Sequence, residues 1–145
     1  MAMNLSDDEK IAVVRKMIAA WDNKEWRACA DMLAVDGVLR NMMLEPVVGR
    51  EAFYQRISGP NMSAANKKAT LHIDLIGVID GAVVVERRDE ITVDGVTNTV
   101  PVVGILRFDG PLVSEWRDYY DRAQLLNAQG KAHLAALDKR LWSFS

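Results

Sequence analysis

The sequence of 145 residues contains one cysteine, Cys29, and two histidines, His72 and His133. A single cysteine excludes an intramolecular disulfide framework and fits a cytoplasmic protein. It lies in the helical pattern WRACADML, where it reads as a small core residue. The histidines are far apart and belong to no cluster with metal-ligand spacing, which argues against a zinc site. Lys and Arg number 18 against 20 Asp and Glu, a net charge of −2 without a basic block. That balance argues against nucleic acid as a partner. No apolar run approaches the roughly 18 residues of a membrane span. The N-terminal MAMNLSDDEK is acidic and lacks the apolar stretch of a signal peptide. There is no internal repeat, low-complexity segment or linker that divides the chain.

What remains is ordinary globular composition, 50% hydrophobic and 26% charged, in a length that suits one domain over residues 1–145. Ser6 with Glu9 makes a capping box before Ile11, Val14, Met17, Ile18 and Trp21, the spacing of an amphipathic helix. A second helix carries Trp26, Cys29, Met32 and Leu33 on one stripe and ends at Asp36-Gly37. A short strand over 38–44, a loop framed by Pro46 and Gly49, a helix over 50–58 and a polar loop to Asn66 follow. Strands over 68–79, 82–93, 96–108 and 111–120 are separated by three Asp-Gly pairs, which are strong hairpin signals. A helical tail over 121–145 carries Leu125, Leu126, Leu134, Leu137, Leu141 and Trp142, with an interruption at Gly130. Helices followed by a run of antiparallel strands make an α+β fold. Strands this long curve, and a curved sheet wrapped on the leading helices makes a cone with an apolar interior suited to a ligand.

Two strands break the apolar pattern of that interior. Side chains alternate faces along a strand. In VVVERRDEITV the even positions Val84, Glu86, Arg88, Glu90 and Thr92 form a solvated face. The odd positions are Val83, Val85, Arg87, Asp89, Ile91 and Val93, apolar apart from one Arg and one Asp. Arg87 and Asp89 are either an ion pair at a sheet edge or a charged pair in an apolar cavity, where burial and pairing set their chemistry. In the last strand Trp116 shares its parity with Asp118 and Tyr120, opposite Val113, Glu115, Arg117 and Tyr119. Asp118 either faces inward with Trp116 or turns out to cap the helix that begins near Asp121. The even face of the strand between offers an inward carboxylate no counter-charge, which leaves Arg87. Leu39, Asn41 and Met43 share one parity of the short strand. Asn41 is either a functional carboxamide or one satisfied by backbone. Two carboxyls in an apolar cavity do not both ionise easily, and an Arg between them holds one charged while the other keeps its proton. Such a difference is what acid–base catalysis needs.

The segments VLRNMMLEPVVGREA, VVVERRDEITV and VSEWRDYYD, in this order and spacing, resemble the limonene-1,2-epoxide hydrolase family. The resemblance runs from the first helix to about residue 125. It implies a cone fold with a mixed, mainly antiparallel sheet, the cystatin-like roll shared with nuclear transport factor 2, ketosteroid isomerase and SnoaL-type polyketide cyclases. It implies a cofactor-free Asp-Arg-Asp site, with Arg87 as the bridge, Asp89 as the acid that protonates the epoxide and Asp118 as the base that activates water. Asn41 matches the family's Tyr-x-Asn; Leu39 stands where the tyrosine belongs. Tyr54, Tyr119 or Tyr120 are the other tyrosines available, Tyr119 with the wrong parity. The resemblance also implies a homodimer through the exposed sheet face.

The expectation is therefore a small apolar epoxide, terpenoid epoxides included, and water as substrates, opened to a vicinal diol without a covalent intermediate. Pocket walls come from Leu39, Met43, Leu71, Ile91, Val100, Val102, Trp116, Tyr120 and Leu125. The alternatives in the same pocket are an epoxide-opening cyclase, a ketosteroid-type isomerase, or a non-catalytic binder of apolar molecules. Residues beyond 128 either lid the pocket or contact a second subunit.

Overall fold

The computed structural model describes residues 4–42 and 44–129. Ser6 starts the first helix, α1 (Asp7–Asp22): its Oγ accepts from the Glu9 amide at 3.2 Å, and Asp7, Asp8 and Glu9 put negative charge at the helix start. Val14, Met17 and Ile18 recur on one face and are buried. The second helix, α2 (Trp26–Asp31), is shorter than its hydrophobic stripe predicts. Met32 O accepts from the Val113 amide at 2.9 Å, which draws Leu33 out of the helix and into strand β1 (Leu33–Asn41). Leu33 is fully buried there, as it would be on the helix, so spacing alone does not separate the two outcomes. The strand thus begins before Gly37 and stops at Asn41, short of Leu44.

Val47–Val48 forms β2 inside the expected loop and pairs antiparallel with Val38 and Leu39. Helix α3 (Arg50–Ile57) buries Phe53 and Ile57. A single turn, α4 (Pro60–Ser63), occupies the expected polar loop, with Pro60 at the start of the helix where its missing N–H costs nothing. Four long strands follow: β3 (Lys67–Ile79), β4 (Ala82–Val93), β5 (Val96–Asp109) and β6 (Leu112–Tyr120). Asp80-Gly81 and Asp94-Gly95 turn with positive φ at both residues (50° and 77°, 51° and 79°), the twist that suits a two-residue hairpin. The third turn sits one residue later than expected, at Gly110-Pro111, because Asp109 pairs with Leu112. Helix α5 (Arg122–Gln129) closes the described chain, capped by Asp121, whose Oδ1 accepts from the Gln124 amide at 2.8 Å. Met43, His133 and the tail from Gly130 through Leu134, Leu137, Leu141 and Trp142 lie outside the described residues.

The six strands form one sheet in the order β2-β1-β6-β5-β4-β3. All neighbours are antiparallel except β1 and β6, which run parallel. Register shifts interrupt the alternation in three strands, one of them in β1 between Leu33 and Val38. Asp74 is the extra residue of β3 between Ile73 and Leu75, and Ser114 that of β6 between Val113 and Glu115. Val113 is consequently fully buried, against the parity that groups it with Glu115 and Arg117. Bulges bend and twist their strands, and the sheet curves around α1 and α3. Val14, Met17, Phe53, Val85, Leu106 and Trp116 belong to the main core. A smaller cluster, Ile91, Val100, Val102 and Ala128, lies where α5 covers β4 and β5.

Candidate active site

The inner face of β4 carries Arg87 and Asp89, and β4 is flanked by β3 and β5 rather than lying at the sheet edge. Arg87 is only 3% exposed. Its guanidinium makes a double fork. Nε donates to Asp89 Oδ1 at 2.7 Å and Nη2 to Asp89 Oδ2 at 3.0 Å, while Nη1 donates to Asp118 Oδ1 at 3.0 Å and Nη2 to Asp118 Oδ2 at 2.7 Å. Asp118 takes a third donor, Trp116 Nε1, at 2.8 Å to Oδ1. It faces inward, and the capping role falls to Asp121. The fork has room because Gly104 stands between: it is the Cα partner of Asp118 on one side and of Val85 on the other. A Cβ at Gly104 would lie 2.9 Å from Asp118 Oδ1 and 3.0 Å from Arg87 Nη1.

Burial and neighbouring charge act on three groups of the site. Burial pushes the Asp89 carboxyl above the ordinary aspartate range; Arg87 opposes this, and the charges of Asp118 and Asp22 reinforce it. Burial alone would lower the Arg87 guanidinium, but Asp118 and Asp89 more than offset that and raise it. Burial and the nearby charge of Asp118 raise the Tyr120 phenol. Its hydroxyl is buried without a hydrogen-bond partner among the described residues.

These groups line a cavity of about 120 Å³, roughly ten times the space one water needs. Arg87, Asp89, Asp118 and Asn41 all reach it. Asn41 is the Cα partner of Asp118, and Leu39 of Trp116, across β1 and β6. Leu39, Leu71, Ile91, Val102, Trp116, Tyr120 and Leu125 line it as expected. Val100 does not: it is fully buried beside Ala128 of α5, behind the wall. Met43 falls outside the described residues. Of the other tyrosines, Tyr54 packs under Arg27 at 4.4 Å, and Tyr119 is exposed on the opposite sheet face.

Sequence reasoning missed several cavity residues. Trp21 follows α1 inward to meet Trp116 edge-on at 5.7 Å. Arg56 comes from the helix expected over 50–58 and Met62 from the expected polar loop, neither of them named as cavity wall, and Gln129 belongs to the segment beyond 128 expected either to lid the pocket or to contact a second subunit. Lys67, the first residue of β3, is buried and lines the cavity, although a lysine at a strand start normally reads as solvated. Gly104 carried the one available signal: a glycine inside an apolar strand marks a close approach. Among the described residues no group of three or more His, Cys, Asp or Glu could hold a metal ion. No helix among them is long and apolar enough to cross a membrane.

The fold and the site can be set beside known proteins. The chain is similar to an LEH-like epoxide hydrolase of M. tuberculosis, with a TM-score of 0.74 and 21% identity over 85% of this chain and 90% of that one. It is also similar to a protein with a ketosteroid isomerase-like fold from Catenulispora acidiphila DSM 44928, with a TM-score of 0.70 and 21% identity over 81% and 92% of the two chains. A putative polyketide cyclase from Xanthomonas campestris pv. campestris gives 0.70 and 16% identity over 86% and 98%. At these identities the structures establish the fold, a cone shared by several activities. The family is established separately, because the model of the limonene-1,2-epoxide hydrolase catalytic domain matches residues 8–131. The chain belongs to the limonene-1,2-epoxide hydrolase family.

Proposed function

We propose that this protein is an epoxide hydrolase that opens a small epoxide to a vicinal diol in one step. The observation that carries the reading is Arg87, buried and bridging two carboxylates at the wall of an apolar cavity. Asp89, raised by burial, is the acid. Three N–H donors stabilise negative charge on Asp118, the base, whereas Asp89 receives two. Asp118 takes a proton from water as the water oxygen bonds to a ring carbon. The ring C–O bond breaks, and its oxygen receives the Asp89 proton. One proton then returns from Asp118 to Asp89 through solvent, which restores the starting state. Asn41, adjacent to Asp118 across the parallel strands, holds the attacking water. No enzyme ester forms.

The test is diol formation from a panel of epoxides, with Asp89→Asn and Asp118→Asn as controls. Turnover that survives both substitutions in folded protein would remove the acid–base assignment. Single turnover in ¹⁸O-water is expected to label only the diol, and label in a carboxyl of the enzyme would mean a covalent route. Ligand-induced thermal stabilisation with no product from any substrate would make the protein a binder.

Leu39 supports a second reading, an epoxide-opening cyclase. It presents hydrocarbon beside Trp116 in the cavity wall, and a leucine side chain cannot hold a water. A substrate that carries its own hydroxyl nucleophile needs no such group. A cyclic ether from a hydroxy-epoxide, formed in preference to the triol, would favour it. Pairing of two copies through the outer sheet face belongs to the same proposal. Val103 and Tyr119, cross-strand neighbours, are exposed on that face, and sedimentation measures the assembly.

A further inference from the structure

Lys67 is buried at 6% exposure, lines the cavity and has no role in the acid–base step. Its ammonium donates to Gln129 Oε1 and approaches Met62 Sδ at 3.9 Å. Both are neutral, and no carboxylate pairs with it among the described residues. Nearby charge makes matters worse. Lys24 donates to Lys67 O at 2.8 Å and to Ala64 O at 3.1 Å, and its charge, after burial, helps to lower the Lys67 amine. Arg56 adds a third cation at the cavity rim. The two cavity carboxylates are both held by Arg87. A Gln or Met at position 67 would dock α5 on β3 without burying a charge, whereas a buried ammonium on neutral partners is unfavourable. An anion from outside the chain would offset that cost.

Position matters too. Leu71 lies opposite Asp89, and Lys67 shares its strand four residues earlier, about 13 Å along the sheet at the usual rise. Ala69, Ile91, Met62 and Leu125 give the space between an apolar wall. The cavity thus has a reacting end and a cationic end with hydrocarbon between them.

We propose that the cavity takes a molecule with a carboxylate at the end remote from the reacting group, and that Lys67 binds that carboxylate. Resting on the epoxide hydrolase reading above, this makes the substrate class an epoxide of a carboxylic acid, such as an epoxy fatty acid, rather than a neutral terpenoid epoxide. Lys67 is the one buried cation at this end, since Arg56 is solvent-exposed and Lys24 is turned onto backbone carbonyls, and one buried ammonium matches the single negative charge of a carboxylate. Lys67 is a specificity residue: it acts on binding, not on bond breaking.

The experiment compares the terminal epoxide of a medium-chain fatty acid with its methyl ester. Wild-type kcat/KM is expected to be tenfold or more higher for the acid, the scale of one charge-assisted hydrogen bond. Lys67→Gln should bring the acid-to-ester ratio toward one, through KM rather than kcat, and Lys67→Arg should keep a preference for the acid. Equal or better use of the ester by the wild-type protein would overturn the proposal. Binding separates the two readings if neither compound is turned over. Thermal stabilisation by the saturated acid but not by its methyl ester, lost in Lys67→Met, would uphold the carboxylate site and sink the hydrolase reading. Equal stabilisation by both would sink the carboxylate site.

Discussion

Gly104 of β5 lies directly opposite Asp118 of β6, and an added Cβ would come within 2.9 Å of the Asp118 Oδ1 that Arg87 and Trp116 both contact. The neighbours on the other sides, Arg87 Nη1 at 3.0 Å and Val85 Cγ1 at 3.1 Å, leave nowhere for the methyl group to go. Gly104→Ala must therefore move the fork. The expected cost is about 1–3 kcal/mol of stability, the scale of overpacking, and about a hundredfold in kcat from misplaced groups. Denaturant melts and steady-state kinetics measure the two effects, and unchanged kinetics would mean that the fork tolerates displacement.

Arg87→Lys replaces four fork hydrogen bonds with a single point charge. One carboxylate then loses its partner in a buried site. A loss of about 3–5 kcal/mol is expected, as for other broken buried pairs, together with loss of turnover. Equilibrium unfolding in urea gives the number. A change below about 1 kcal/mol would place the pair among weakly coupled surface bridges.

The Asp89 carboxyl titrates above its ordinary value, first because it is buried. As the proposed acid it must be protonated, so kcat is expected to fall as pH rises through that raised value. Stability carries the same sign. Between the ordinary aspartate value and the raised one, the folded state binds more protons than the unfolded state, so stability falls as pH rises across that window. Half-buried Asp22, also raised chiefly by burial, adds slope in the same direction. The informative quantity is therefore the difference between wild type and Asp89→Asn, whose melting temperatures should diverge across the window. Parallel curves would show that Asp89 does not titrate there.

Tyr120→Phe removes a buried hydroxyl that has no partner among the described residues. Stability should hold or rise, because an unsatisfied buried polar group costs about 1–3 kcal/mol. If that hydroxyl helps to hold the attacking water, kcat should drop about tenfold with little change in KM, the lower scale of a positioned polar group. Thermal melts with parallel kinetics separate the two effects.

Much of the site was legible because two Asp-Gly turns lock the β3-β4 and β4-β5 registers, so parity along 82–93 put Arg87 and Asp89 inside. Parity failed where a bulge intervened: Val113 turned inward because Ser114 has no partner. The end of α2 was not legible, since Leu33 is buried whether helical or extended. Val100 read as cavity wall because alternation gives the face, while only packing by α5 decides who reaches the space. Lys67 escaped notice because its burial depends on Met62 and Gln129, 5 and 62 residues away in sequence.

The bulges at Asp74 and Ser114 have a consequence for divergence within this architecture. Each is one residue outside the ladder, each bends its strand, and neither lines the cavity. Deleting or shifting either would change how tightly the sheet closes over the helices while the Asp-Arg-Asp fork stays intact. The breadth of substrates admitted can therefore drift by single-residue insertions and deletions that touch no ligand, and a library built only from cavity-lining substitutions would leave that route unexplored.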